Sequence, residues 1–135
     1  MKKLFVLLMT GLLGACAGKN PGQNNGASAP RVSKISPAGA KRVLESEEPY
    51  LLVDVRTAEE FGAGHIAGAR LIPDYEIAAR APEELPDKDA PVIVYCRSGM
   101  RSSGAARALI KMGYTRIYDL GGIMGWPYDT VRGSK

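Results

Sequence analysis

Two apolar runs, Tyr50 to Val55 (YLLVDV, broken only by Asp54) and Pro91 to Tyr95 (PVIVY), constrain this chain more than any other feature. Neither alternates between apolar and polar residues, so neither suits a sheet with one wet face. Short continuous runs of this kind belong to strands covered on both faces, which is the environment of a parallel sheet. Helical patterns lie between and around them. Ser36-Pro37 reads as an N-cap followed by proline at the first helical position, opening a helix to about Ser46. Thr57-Ala58-Glu59-Glu60 has the form of a capping box and opens a short helix. Ser102 to Met112 is the strongest helix, with Ala105, Ala106, Leu109 and Met112 on one side and Gly113 as a stop. Shorter strands are expected at Val32–Ile35, Arg70–Ile72 and Thr115–Leu120, and one or two helical turns at Asp74–Arg80. This alternation predicts an α/β fold, a mainly parallel central sheet flanked by helices.

The first thirty residues follow other rules. Lys2 and Lys3 precede a ten-residue apolar stretch, Leu4 to Leu13, interrupted only by Thr10 and Gly11. That is the length of a signal peptide and too short to span a bilayer as a helix. Leu13-Gly14-Ala15-Cys16 then resembles the bacterial lipobox, in which small residues admit a peptidase and the cysteine thiol takes a diacylglyceryl group. The expectation is a signal peptide over 1–15 and a lipid on Cys16. The alternative is a general secretory signal, with Cys16 incidental. Ala17 follows, where aspartate would favour inner-membrane retention. The expected location is therefore the cell envelope, on the outer membrane facing the periplasm if the host has two membranes. Ala17 to Pro30 has no large apolar residue and reads as a tether with a span of about 20 Å. A single domain is expected over 31–135.

Charge excludes one class of partner. The formal net charge is +4, but without Lys2 and Lys3 the Lys and Arg count falls from 18 to 16 against 14 acidic residues. No basic run carries interleaved aromatics, so nucleic acid is not expected. There are two cysteines, and a lipid on Cys16 leaves Cys96 without an internal partner. A lone thiol in an exported protein calls for a chemical reason.

The position of Cys96 suggests that reason. PVIVY runs directly into Cys96-Arg97-Ser98-Gly99-Met100-Arg101-Ser102, and the strongest helix follows. In parallel α/β sheets, ligands bind beyond the carboxyl ends of the strands. The N–H groups of a tight loop form an anion-binding nest, and the helix N-terminus adds partial positive charge. Arg97 and Arg101 add full charges near the same spot. Each term favours a thiolate at Cys96 and would hold an anionic substrate. Gly99 permits a positive φ. Ser98 and Ser102 can donate from their hydroxyls, either Ser102 or Ser103 is a candidate N-cap, and Met100 is a candidate apolar lip.

C-R-S-G-M-R-S resembles the active-site loop of the rhodanese family, Cys-Arg-x-Gly-x-Arg-Ser/Thr. Leu52-Val53-Asp54-Val55-Arg56 with Glu59-Glu60-Phe61, Gly64-His65-Ile66-Ala67-Gly68-Ala69 with Ile72-Pro73, and Leu120-Gly121-Gly122 with Trp126 resemble three further family segments. The resemblance covers nearly all of 31–126. It implies a single rhodanese-like domain. It also implies a sulfurtransferase in which Cys96 takes sulfane sulfur from thiosulfate or a persulfide donor as a persulfide. Arg97, Ser98, Gly99, Met100 and Arg101 would bind the anion, and a thiol or cyanide would accept the sulfur. The implied chemistry needs no metal or organic cofactor, and a monomer is expected. The alternative is a module that carries or senses reactive sulfur, or binds a partner, without turnover. Phosphatases and arsenate-handling relatives resemble it with a seven-residue Cys-x5-Arg loop, whereas Cys96 to Arg101 spans six. The shorter loop is sized for one sulfur atom.

Asp54 and Arg56 are expected to brace neighbouring loops. His65 is expected in a structural turn, since the chemistry asks for no base, and Trp126 is expected in the core. Pro127 directly follows Trp126, where many relatives continue as helix, so the C-terminal segment is expected to be short or irregular.

Overall fold

A computed structural model describes residues 29–134, and Cys16, the signal segment and most of the tether lie outside the described residues. In chain order the elements are β1 (Ser33–Lys34), α1 (Pro37–Leu44), β2 (Leu51–Asp54), α2 (Ala58–Ala63), β3 (Arg70–Leu71), a 3-10 turn (Asp74–Glu76), α3 (Ile77–Glu84), β4 (Val92–Cys96), α4 (Met100–Lys111), β5 (Ile117–Gly122) and a second 3-10 turn (Ile123–Gly125). The strands form one five-stranded sheet in the order β1-β5-β4-β2-β3, and every strand pair is parallel. Parallel neighbours need crossover connections, and α1 to α4 supply them.

Both long apolar runs are the buried strands they were expected to be. All five residues of β4 are buried. Its side chains alternate between two cores. Val92, Val94 and Cys96 join Val53, Val55, Ala105, Ala106 and Leu109 on the face covered by α3 and α4. Ile93 and Tyr95 join Leu52, Ala40, Ile66 and Leu120 on the other face, with Trp126 packed at its margin. The sulfur of Cys96 therefore points toward α4. Fully burying an aliphatic side chain contributes roughly 1.5–3 kcal/mol, so β4 is the principal contributor of apolar burial in the sheet.

Several boundaries differ from expectation, each for a local reason. α3 runs on to Glu84 through Pro82. Ile77, Ala81 and Leu85 recur at helical spacing and are all buried, and the buried Tyr114 hydroxyl contacts the carbonyls of Ala81 (2.9 Å) and Leu85 (2.7 Å) at the helix end. α4 starts at Met100, not Ser102, and its N-cap is Gly99 at φ +109° with no side-chain cap, so neither Ser102 nor Ser103 caps it. Trp126 is only partly buried. The segment after it is irregular, as Pro127 implies, but it is not loose. Val131 makes an antiparallel bridge with His65, with N–H···O distances of 2.8 Å in both directions.

The capping box at Thr57 forms, and its Glu60 reaches further than the cap. Glu60 accepts from the Thr57 N–H at 2.9 Å and takes both outer nitrogens of Arg101 at 2.8 Å, tying α2 to α4. The Arg101 guanidinium, opposed by burial and helped by Thr57, holds the Glu60 carboxyl at about 2 instead of its ordinary 4.5. A carboxyl depressed in the folded state contributes stability that is full above about 4.5 and is lost as pH falls toward 2. Solvent reaches both side chains (32% for Arg101, 28% for Glu60), so the contribution is discounted to about 1–2 kcal/mol. Chemical denaturation of wild type should lose that amount between pH 4.5 and 2, and Glu60→Gln should not. Equal acid limbs in the two proteins would mean that the bridge adds nothing.

Candidate active site

The last residue of β4 and the first turn of α4 build the site. Cys96 pairs in register with Gly122 of β5, past a register shift between Val94 and Tyr95. The loop from Arg97 to Gly99 then lies on the backbone of β5. A Cβ placed on Gly122 would fall 2.3 Å from the Arg97 carbonyl oxygen and 2.7 Å from the Ser98 Cα. Only a residue without a side chain permits that approach. The Met124 N–H donates to the same Arg97 carbonyl at 3.2 Å, closing the contact from the other side.

Cys96 is 1% exposed, and the Gly99 N–H donates to its Sγ at 2.9 Å. Burial pushes the thiol up. It is outweighed by hydrogen bonding from Ser102, through its N–H and its hydroxyl, and from the N–H groups of Gly99 and Ser98, which together hold the thiol below the ordinary cysteine value. This is the nest expected from the sequence. The positive φ expected at Gly99 is present.

The arginines are arranged differently from expectation. Arg101 stands near enough to Cys96 to be influenced by it, but its guanidinium is fixed on Glu60. Arg97 is exposed and faces a cleft of about 390 Å³ beside the loop, together with Arg56, Glu60, Gly64, Ile123 and Met124. Ser98 is exposed at the loop tip. Met100 is 86% exposed, so its side chain lies in solvent and is not packed as a lip against the sulfur.

The flanking motif residues brace this floor. Arg56 is buried and grips Asp54 through Nε and Nη2, the latter at 2.7 Å, and its Nη2 also donates to the Gly64 carbonyl at 2.7 Å. His65 is buried and stacks on Phe61 with ring centroids 3.6 Å apart. Its Nδ1 lies 2.8 Å from the Phe61 carbonyl, which can only accept, so Nδ1 carries a proton. These contacts agree with structural roles for all three residues.

Two residues of the site were not singled out from the sequence. In the sequence Glu60 belongs to a helix cap and to a family-like segment, neither of which points to Arg101, and the pairing spans 41 positions. Asp119 is buried below α4 and accepts from the Ser102 hydroxyl at 2.8 Å, the Gly121 N–H at 2.9 Å and Lys34 Nζ at 2.5 Å. A charged residue inside the apolar run IYDL was the one available signal.

Comparison with known proteins agrees with this architecture. The Rhodanese-like domain family model matches residues 36–128. A protein named "Sulfurtransferase" from Allochromatium vinosum is 41% identical over 96 residues, covering 70% of this chain and 88% of the relative. Thiosulfate sulfurtransferase PspE of Escherichia coli is 37% identical over 81 residues, covering 60% of this chain and 78% of the relative. Among solved structures, a rhodanese with anions from E. coli superposes with a TM-score of 0.59 at 36% identity, covering 62% of this chain and 99% of that one. With the parallel sheet, the Cys96 nest and a family match over residues 36–128, this chain belongs to the rhodanese-like domain family.

Proposed function

We propose that this protein is a sulfurtransferase that carries sulfane sulfur on Cys96. The observation that carries the reading is the set of backbone N–H groups gathered on one buried sulfur at the end of β4. Such a nest favours a thiolate, and the thiolate is the nucleophile. Relatives named sulfurtransferase and thiosulfate sulfurtransferase support the same chemistry.

In the first step a lone pair on Cys96 Sγ attacks the outer sulfur of thiosulfate. A new sulfur–sulfur bond forms, the old one breaks, and its electron pair leaves with sulfite. The negative charge of Cys96 passes to the outer sulfur of the persulfide. In the second step a thiolate acceptor, or cyanide in an assay, attacks that outer sulfur and Cys96 leaves as thiolate. This is covalent catalysis in two displacements. Both leaving groups are stable anions, so neither step needs a general acid. The positive end of α4 and the loop N–H groups stabilise the anions. Arg97 faces the cleft from which a donor or acceptor would approach. Arg101 contributes charge from a fixed position, and Glu60 fixes it.

The reading includes a lipid on Cys16 and attachment to the cell envelope. The run Leu13-Gly14-Ala15-Cys16 supports it. A diacylglyceryl group supplies the two chains that stable anchoring needs.

Three outcomes test these assignments. After thiosulfate treatment, intact mass should show one added sulfur atom on wild type and none on Cys96→Ser. Sulfur uptake by the serine variant, or Cys96-dependent hydrolysis of p-nitrophenyl phosphate exceeding sulfur transfer, would sink the proposal. Arg101→Ala should still form persulfide, with turnover slowed on the order of tenfold to a hundredfold, because a charge-assisted interaction contributes about 1.5–3 kcal/mol. Unchanged thiosulfate-to-cyanide kinetics in that variant would remove Arg101 from the mechanism. Cys16→Ser should move from the membrane to the soluble fraction, and a variant that stays on membranes after a salt wash would refute the lipid anchor.

A further inference from the structure

Large apolar side chains that stand in solvent lie at one end of this molecule. Among the described residues four are exposed: Tyr75 (74%), Met100 (86%), Met124 (72%) and Val131 (41%). Exposed apolar residues scattered singly need no explanation. These four are not scattered. Met100 opens α4, one residue past Gly99 of the nest. Met124 lies beyond the carboxyl end of β5 and holds the Arg97 carbonyl through its N–H. Tyr75 lies in the 3-10 turn beyond the carboxyl end of β3. Its neighbour Asp74 donates its N–H to the Val55 carbonyl past the end of β2, and the Asp74 charge acts on Arg101. Val131 is bridged to His65, next to Thr130 and Gly64 in the wall of the cleft. All four segments border the end of the sheet at which Cys96 sits.

Thiosulfate and cyanide are small ions, with nothing for Tyr75 or Met100 to hold. The Cys96 residue is 1% exposed, so only a narrow group reaches its sulfur. A larger molecule that offers a protruding group would meet the rim as well. Tyrosine and methionine are the residue types that enrich protein interfaces, and methionine adapts its shape to what it meets. The charge of the rim is uneven. Arg101 is committed to Glu60, with Asp74 beside it, and Arg56 to Asp54. Arg97 is exposed, faces the cleft and has no ion pair among the described residues. It is the cation this surface offers.

We propose that this rim is a docking surface for a protein partner that presents a cysteine thiol from a protruding segment, with apolar residues beside that cysteine and acidic residues facing Arg97. The inference rests on the reading of Cys96 as the sulfur carrier and names the acceptor. The partner's thiol gives its proton to water, and the thiolate attacks the outer sulfur of the Cys96 persulfide. A sulfur–sulfur bond forms on the partner, the bond to Cys96 breaks, and its electron pair returns to Cys96 Sγ as thiolate. The partner leaves as a persulfide, and no oxidant or further reactant is consumed. A lipid surface would also cover the apolar side chains, but it brings no nucleophile to the sulfur.

Acceptor kinetics in the full chain test this, with thiosulfate as donor and transfer read by mass on short synthetic peptides. Each peptide has one central cysteine, flanked by leucine and aspartate, by leucine and lysine, or by serine and aspartate. Wild type should prefer the leucine–aspartate peptide over both others by on the order of fivefold in kcat/KM, through KM. Tyr75→Ser should lose about threefold on that peptide and keep its thiosulfate-to-cyanide turnover. Met100→Ser/Met124→Ser should remove the preference for leucine over serine, and Arg97→Glu should reverse that for aspartate over lysine. Peptides with serine in place of cysteine should bind in the same order by fluorescence anisotropy, so docking is read even where no sulfur moves. Equal kcat/KM and equal binding for the three peptides would overturn the proposal. So would vesicle binding (phosphatidylcholine with phosphatidylglycerol) that is lost in Tyr75→Ser, or a dimer that dissociates in Met100→Ser/Met124→Ser, since membrane or a second copy would then own the rim. Failure of the sulfur-transfer reading would appear separately, as no mass gain on Cys96 from thiosulfate.

Discussion

Five consecutive buried residues, Val92 to Cys96, are the constraint on which this molecule depends. β4 has a strand on either side and a core on either face, so it has no freedom to slide or tilt. A one-residue slip would exchange the two cores completely, since neighbouring side chains point to opposite faces. The same register that puts Val92 and Val94 against α4 puts Cys96 there too. Apolar packing thus sets where the reactive atom lies before any polar contact forms. The N–H groups of the loop can then act on the sulfur without first having to find it.

Polar groups take over where the strands end. Arg56–Asp54, Arg101–Glu60 and Lys34–Asp119 are all ion pairs at or next to the carboxyl ends of strands or the start of α4. Burying a charge without a partner is costly, so each pair is a matched set: removing one member strands the other. Their net contribution to stability is modest. Their effect on geometry is larger where a pair reaches between elements that share no strand pairing. Glu60 and Arg101 link α2 to α4, and Arg56 holds the Gly64 carbonyl beside the cleft. His65 and Val131 add a backbone bridge that pins the tail to the same side. These ties come from separate elements and converge around the floor beneath Cys96.

Much of this was legible in the sequence because the relevant signals are local. Continuous apolar runs identified β2 and β4, and Ser36-Pro37 and Thr57–Glu60 identified two helix starts. The Cys96–Ser102 stretch announced a nest through its glycine and its position between strand and helix. What was misread depends on contacts distant in the chain. Ser102 looked like a cap because serine often is one, but a buried aspartate seventeen positions later competes for its hydroxyl. Arg101 carries no local sign of its partner, because Glu60 lies on another helix. Met100 looked like a pocket residue because it is apolar, and α4 turns it outward. α3 was read as ending at Arg80, whereas it continues through Pro82 to Glu84, packed on the core through Ile77 and Ala81 and met at its end by Tyr114.

The parallel sheet also gives the domain a front and a back. The described chain reaches the sheet at Ser33, which pairs with Tyr118 near the start of β5, whereas Cys96 pairs with Gly122 near its end. Four residues of strand separate these levels, about 13 Å along the sheet. A resin, a fused protein or a lipid surface joined ahead of Ser33 connects to the rear of the domain. Held there by a short, stiff link in place of the tether, the protein would turn its cleft toward the surrounding solution, with the depth of the sheet as a built-in stand-off.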